Sequence, residues 1–181
     1  MARPHLHILI EPGSLAKYYS ADCLAELEAV YEVSCEPAGG LTAEQVSERL
    51  VASGAAVAMT GWGAPGLTAG NYAAAPRLRL VAHFGGSVAM LSVTEGWQRG
   101  VTFINCAAGM VDAMAEATVG MMLAVGYQFP VTDRRLRGQG DFGHGYPLSY
   151  GLKGKRVGIF GLGHIGRRVA ELLSAFKVER L

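Results

Sequence analysis

Gly161-Leu162-Gly163-His164-Ile165-Gly166 directly follows the apolar run Arg156-Val157-Gly158-Ile159-Phe160, and Ile165, Val169, Leu172, Leu173 and Phe176 then recur at helical spacing. A strand, a tight glycine turn and a helix in that order constrain the chain to an α/β architecture. In such a turn the first glycine permits the reversal of direction, the second lets backbone approach a pyrophosphate, and the third allows close packing of helix on strand. The helix start adds unpaired N–H groups and a partial positive charge. The pattern therefore points to a dinucleotide site, weighed against a ligand-free turn in a chain with 25 glycines. Lys153-Gly154-Lys155 is no Walker loop, because no GxxxxGK[ST] can be read there. Arg167 and Arg168 read as solvated helix-surface residues. The acid that would bind the ribose hydroxyls is expected about 20 residues beyond the motif, at or past Leu181.

Half of the residues are hydrophobic and 17% are charged, enough apolar side chains for a sizeable core. A net charge of +1 argues against a dedicated nucleic-acid binder. Residues 1–100 carry six basic and nine acidic side chains, whereas 101–181 carry ten and six, an excess that suits an anionic cofactor. Arg134, Arg135 and Arg137 read instead as part of a solvated connecting segment. Cys23, Cys35 and Cys106 form no CxxC, so neither a disulfide framework nor a zinc site is indicated, and reduced thiols in the cytoplasm are expected. The N-terminus shows no secretory pattern. The apolar stretch 111–129 is interrupted by Asp112 and Glu116 and reads as a buried connecting helix rather than a membrane span.

Alternating strand-like and helix-like segments imply a parallel sheet. His7-Ile8-Leu9-Ile10 reads as a first strand, Leu24, Leu27 and Val30 as a helical stripe, and Tyr31-Glu32-Val33 as a short second strand. Thr42 and Gln45 have capping-box spacing ahead of a helix through Val46 and Leu50. Ala56-Val57-Ala58-Met59-Thr60 leads into Gly61-Trp62-Gly63-Ala64-Pro65-Gly66, and Leu78-Arg79-Leu80-Val81-Ala82 leads to Phe84-Gly85-Gly86-Ser87. Val101-Thr102-Phe103-Ile104 follows as another short strand, and 138–151 as a loose connection. Ligands of open parallel sheets gather beyond the carboxyl ends of strands, which puts both glycine-rich turns on a functional edge. For Trp62 two readings stand, a pocket wall near Gly63 and Pro65 or, the one favoured here, a side chain packed and buried beneath its loop.

From about Arg77 onward the chain resembles the D-isomer-specific 2-hydroxyacid dehydrogenases, which include phosphoglycerate dehydrogenases. Residues 78–88 look like that family's strand and substrate loop, Gly100-Val101-Thr102-Phe103-Ile104-Asn105 like its next strand, Ala113-Met114-Ala115-Glu116-Ala117-Thr118 like its helix start, and 151–166 like its cofactor entry. The resemblance implies an α/β fold in which a parallel, flavodoxin-like substrate domain (1–110) is followed by a linking helix and connection (111–150). The start of a truncated NAD-binding Rossmann domain, its first strand-helix unit, would occupy 151–181. It further implies that Gly85, Gly86 and Ser87 cradle the substrate carboxylate through backbone N–H groups. Cofactor contacts are implied at Gly86, Thr118, Gly161, Gly163, His164, Ile165 and Gly166, with NAD as cofactor and NADP kept open. A small 2-hydroxy or 2-keto acid substrate, a homodimer at full length, and no metal, nucleic-acid or membrane partner complete the expectation. Two departures stand out: Ala89-Met90 where the family commonly has Asp-Asn, and Ser87 where glycine is common.

The family reaction moves hydride between a 2-hydroxy acid and nicotinamide while a histidine, oriented by an acid, exchanges the hydroxyl proton and an arginine holds the substrate. The resemblance puts all three beyond Leu181, so no catalytic residue is expected here, and the 181 residues alone are expected to give no turnover and to be aggregation-prone or dependent on a partner. His5, His7, His83 and His144 lack an acid at triad or metal spacing and read as structural or exposed. Ser14-Leu15-Ala16-Lys17 lacks the companion motifs of SxxK hydrolases. The alternative is a non-catalytic module of the same fold that binds a small carboxylate or dimerises.

Overall fold

The apolar runs of residues 1–107, the first of two compact units, lie side by side in one sheet with order β2-β1-β3-β4-β5 and every pair parallel. The computed structural model describes residues 2–36, 39–139 and 148–179. In chain order the elements are β1 (His5–Ile8), α1 (Pro12–Tyr18), α2 (Ala21–Val30), β2 (Glu32–Cys35), α3 (Ala43–Ser53) and β3 (Val57–Gly61). They continue with α4 (Ala69–Ala74), β4 (Leu80–Phe84), α5 (Val93–Trp97) and β5 (Thr102–Asn105). All five residues of β3 are buried, as expected of a central parallel strand covered on both faces. Ile8, Leu9, Ile10, Leu50, Leu67, Leu78 and Leu91 are the largest fully buried apolar side chains of this core, each contributing roughly 1.5–3 kcal/mol by burial.

That strand order is the flavodoxin type, in which the chain reverses direction across the sheet between β1 and β3. Gly61 at the end of β3 stands in register with Phe84 at the end of β4, so the two glycine-rich turns leave the sheet side by side. α3 begins with the capping box read from the sequence: Gln45 N donates to Thr42 Oγ1 (3.3 Å) and Thr42 N donates to Gln45 Oε1 (2.9 Å). A second box, Thr68 with Asn71, opens α4; asparagine in place of Glu or Gln hides it from the usual pattern. The limits of all five strands lie one or two residues from the sequence reading. Pairing of His5 with Glu32 starts β1 earlier, and the helical stripe of α2 ends at Leu27, since Val30 is exposed.

The second unit, 108–181, holds α6 (Val111–Gly126), α7 (Phe129–Gln139) and α8 (His164–Ser174). Ala115 and Val119 of α6 pack with Val169 and Leu173 of α8 and with Leu152. α6 is not the buried helix the sequence implied. Its small residues bury one face, while Met114, Met121 and Val125 are exposed. The 20 residues of Ala107–Gly126, with mean hydropathy 1.4, are long and apolar enough by composition to cross a membrane; the contact with α8 accounts for the buried face. Arg168 is not simply solvated either, because its Nε donates to Asp112 (2.7 Å) and its guanidinium to Glu171 (2.8 Å). The arginines read as a solvated connection lie on α7, where Arg137 Nε donates to Asp133 (2.9 Å). His144 lies outside the described residues.

The run 157–160, read as a strand, joins no ladder among the described residues, and Arg156 makes an isolated bridge. A strand exists only against a neighbour. Pairing begins at its base: Gly154 N donates to the Lys177 carbonyl (3.0 Å) and Glu179 N to the Lys155 carbonyl (2.9 Å), so the chain leaving α8 returns beside the chain that enters it.

Candidate functional site

At the end of β4 the backbone of Gly85 is buried and fully engaged. Its N–H donates to the His83 carbonyl (3.0 Å), and its carbonyl accepts from Cys106 N (3.3 Å). Asn105 Nδ2 donates to the Gly86 carbonyl (3.0 Å), fixing the next peptide. Gly86 and Ser87 are exposed, and their N–H groups enter no hydrogen bond among the described residues. Two adjacent unengaged N–H groups on a braced turn can take a carboxylate or another small anion. The three residues singled out from the sequence thus differ in kind. Gly86 and Ser87 offer donors, whereas Gly85 is required by space, since a Cβ on it would lie 2.6 Å from His83 Nε2.

Trp62, in the neighbouring turn, is 52% exposed rather than buried. The space beneath is already taken: a Cβ on Gly61 would stand 2.9 Å from Ile10 Cδ1 and 3.3 Å from Phe84 Cβ. The indole therefore lies at the rim, edge-on to Tyr18 (5.3 Å) and Phe84 (6.2 Å). Gly61, Trp62 and Gly63 face His83, Ser87, Ala89 and Met90 across a cavity of about 360 Å³, within the size range of small-molecule sites. His83 itself is buried, its Nδ1 paired with Thr60 Oγ1 (2.9 Å), and burial lowers its pKa below the ordinary 6.5.

In the second unit each glycine before α8 has its own reason. Gly161 has φ of +95°, which a side chain would strain, and Gly163 has open space around its Cα. A Cβ on Gly166 would collide with the carbonyl oxygen of Gly161. Gly163 caps α8 without a side chain, so the first N–H groups of the helix have no capping oxygen. Gly161, Ile165 and Gly166 line a cavity of about 510 Å³ together with Thr118 of α6. Gly163 and His164 stand outside that lining, exposed on the turn. Thr118 Oγ1 donates to the Met114 carbonyl (2.7 Å), and Arg167 donates to the Leu162 carbonyl (2.9 Å), bracing the turn. An uncapped helix start behind an open glycine fits a pyrophosphate.

His5 and His7 have structural partners. His5 Nε2 and His7 Nδ1 each pair with Ser34 Oγ at 2.7 Å. His7 Nε2 also lies 3.6 Å from Glu36, whose Oε2 is 3.3 Å from Arg49 Nε. Sequence reasoning missed this buried cluster, whose members have no common period. No group of three or more His, Cys, Asp or Glu suited to a metal occurs among the described residues.

Among known protein families, residues 119–181 match the NAD binding domain of the D-isomer specific 2-hydroxyacid dehydrogenases. A glyoxylate reductase of Thermofilum pendens is 34% identical over 111 residues, 60% of this chain and 33% of that protein. A D-3-phosphoglycerate dehydrogenase of Mycobacterium bovis is 34% identical over 104 residues, 58% of this chain and 20% of its own length. The crystal structure of a glyoxylate reductase from Paecilomyes thermophila superposes with TM-score 0.81 at 18% identity, covering 99% of this chain and 55% of that one. The matches thus span a fifth to a third of the first two relatives.

Proposed function

We propose that this chain, similar over residues 119–181 to the NAD binding domain of the D-isomer specific 2-hydroxyacid dehydrogenases and to the two relatives above, supplies the substrate turn and cofactor entry of an NAD(P)-dependent oxidoreductase acting on a small 2-hydroxy or 2-keto acid. The observation that carries this is the glycine turn before α8, with its left-handed Gly161, open Gly163 and uncapped helix start. Gly161, Gly163, His164, Ile165 and Gly166 would hold the pyrophosphate, with Thr118 and Gly86 as further cofactor contacts. Bound nicotinamide supplies or accepts the hydride. Gly86 and Ser87 would hold the substrate carboxylate through their N–H groups, on a turn whose shape Gly85 makes possible. No proton transfer is assigned to His5, His7 or His83, which are tied to Ser34 and Thr60. A homodimer in the cytoplasm belongs to the same proposal, and three free cysteines suit a reducing compartment.

Calorimetric titration with NADH and NADPH tests this. Binding by the native chain is expected to weaken about tenfold or more in Gly163→Val, with stability lowered by no more than the about 1 kcal/mol of a poorer helix cap. No binding of either nucleotide, or equal affinity of the variant, would overturn the proposal.

A further inference from the structure

We infer that the cavity between the β3 and β4 turns selects acids with an uncharged, apolar side chain, branched aliphatic or aromatic, over those carrying a second anionic group. This rests on the proposed reading that Gly86 and Ser87 take the substrate carboxylate. A carboxylate held there sits beside Ser87, whose residue also lines the 360 Å³ cavity, so the substrate's side chain has that cavity to enter. Its walls are the indole of Trp62, the thioether of Met90 and the methyl of Ala89, with glycines at 61 and 63 leaving room.

Charge decides against a phosphorylated substrate. Neither arginine nor lysine lines this cavity. The polar groups present are the Ser87 hydroxyl, which already accepts from Ala89 N (3.5 Å), the His83 imidazole, committed through Nδ1 to Thr60, and the uncharged indole N–H of Trp62, whose Nε1 lies 3.5 Å from where a Cβ on Gly85 would stand. Burial keeps that imidazole from charging at neutral pH. A phosphate entering here would lose its hydration without a compensating cation, a cost that an apolar group does not meet. Trp62 is held edge-on by Tyr18 and Phe84, so it presents a fixed apolar surface to the substrate. Ala89 and Met90 make this rim of the cavity apolar. The relative named D-3-phosphoglycerate dehydrogenase therefore shares the frame of this chain without sharing its substrate.

The test is an amide and indole NMR titration of the chain with four acids: glyoxylate, 4-methyl-2-oxopentanoate, phenylpyruvate and 3-phosphohydroxypyruvate. Glyoxylate, which has no side chain, should move the Gly86 and Ser87 amides and leave the Trp62 indole N–H in place. The two apolar acids should move both and bind about tenfold tighter than glyoxylate, with 3-phosphohydroxypyruvate no tighter than glyoxylate. Tighter binding of the phosphorylated acid than of the apolar ones would overturn the inference and leave the carboxylate reading intact. Unmoved Gly86 and Ser87 amides with all four acids, glyoxylate included, would overturn the reading itself. Trp62→Arg, at a half-exposed position, should reverse the preference towards 3-phosphohydroxypyruvate; an unchanged ranking in the folded variant would count against the inference.

Discussion

The imidazole of His83 fills the space in which a side chain on Gly85 would begin, with Nε2 2.6 Å and Cδ2 3.1 Å from the position of its Cβ. The ring cannot swing away cheaply, because Thr60 holds Nδ1 at 2.9 Å inside the sheet. Gly85→Ala is therefore expected to destabilise the fold by about 1–3 kcal/mol. His83→Ala in the same chain should recover part of that loss by removing the obstacle. Urea unfolding of the four proteins in a double-mutant cycle measures the coupling; strictly additive losses would show that the two residues do not compete for space.

The three glycines before α8 should separate under the same substitution. Alanine at Gly161 must adopt φ near +95°, at a cost of about 1–2 kcal/mol. Alanine at Gly166 meets the Gly161 carbonyl and should cost about 1–3 kcal/mol through displacement of α8. Alanine at Gly163 meets nothing within 4 Å and should cost at most about 1 kcal/mol as a poorer cap. Unfolding midpoints rank the three, and nucleotide titration is expected to weaken in all of them. A Gly163→Ala protein as unstable as Gly166→Ala would contradict this division of roles.

Much of this was legible from residues alone. Val57, Ala58 and Met59 form an apolar run because a central parallel strand has no wet face, so the run itself declares the strand. The glycine turn was legible because each glycine answers a different steric demand at fixed spacing. The misreadings share a cause, which is that the decisive neighbour is distant in sequence. Trp62 is hydrophobic enough to be read as buried, yet Ile10 and Phe84 already occupy the space below its turn. Residues 157–160 have strand composition, but composition supplies no partner for their N–H and carbonyl groups. Glu36 and Arg49 meet through the fold, in a contact that no local spacing announces.

Acid should weaken this protein through two buried imidazoles. Burial lowers the pKa of His83, and burial lowers that of His7 against an opposing pull from Glu36. A folded pKa below the unfolded value of about 6.5 means that the unfolded chain binds more protons over the interval between them. Stability is thus fully present above about 6.5, falls as pH drops through it, and levels off below the folded pKa values. Urea midpoints from about pH 7.5 down to about pH 5 should follow that course. His83→Gln, which keeps a polar group beside Thr60 without a titrating ring, should flatten part of the slope. A profile identical to the native one would mean that His83 takes up its proton as readily folded as unfolded.

Glu36 is 1% exposed, and among the described residues its carboxylate accepts no hydrogen bond of good geometry. Its compensation is ionic: Arg49 Nε at 3.3 Å, with His7 Nε2 at 3.6 Å. Breaking a fully buried pair costs about 3–5 kcal/mol because a charge is left stranded. Arg49 is half-exposed, so water screens part of the pair, and Arg49→Met is expected to cost less, about 1–3 kcal/mol. Removing both charges should be gentler than removing one, since Glu36→Met with Arg49→Met leaves no uncompensated charge at the end of β2. The double variant is therefore expected to unfold at a higher urea concentration than Arg49→Met alone. If the single variant were instead as stable as the native chain, the Glu36 carboxylate would have to draw its compensation from a group other than Arg49.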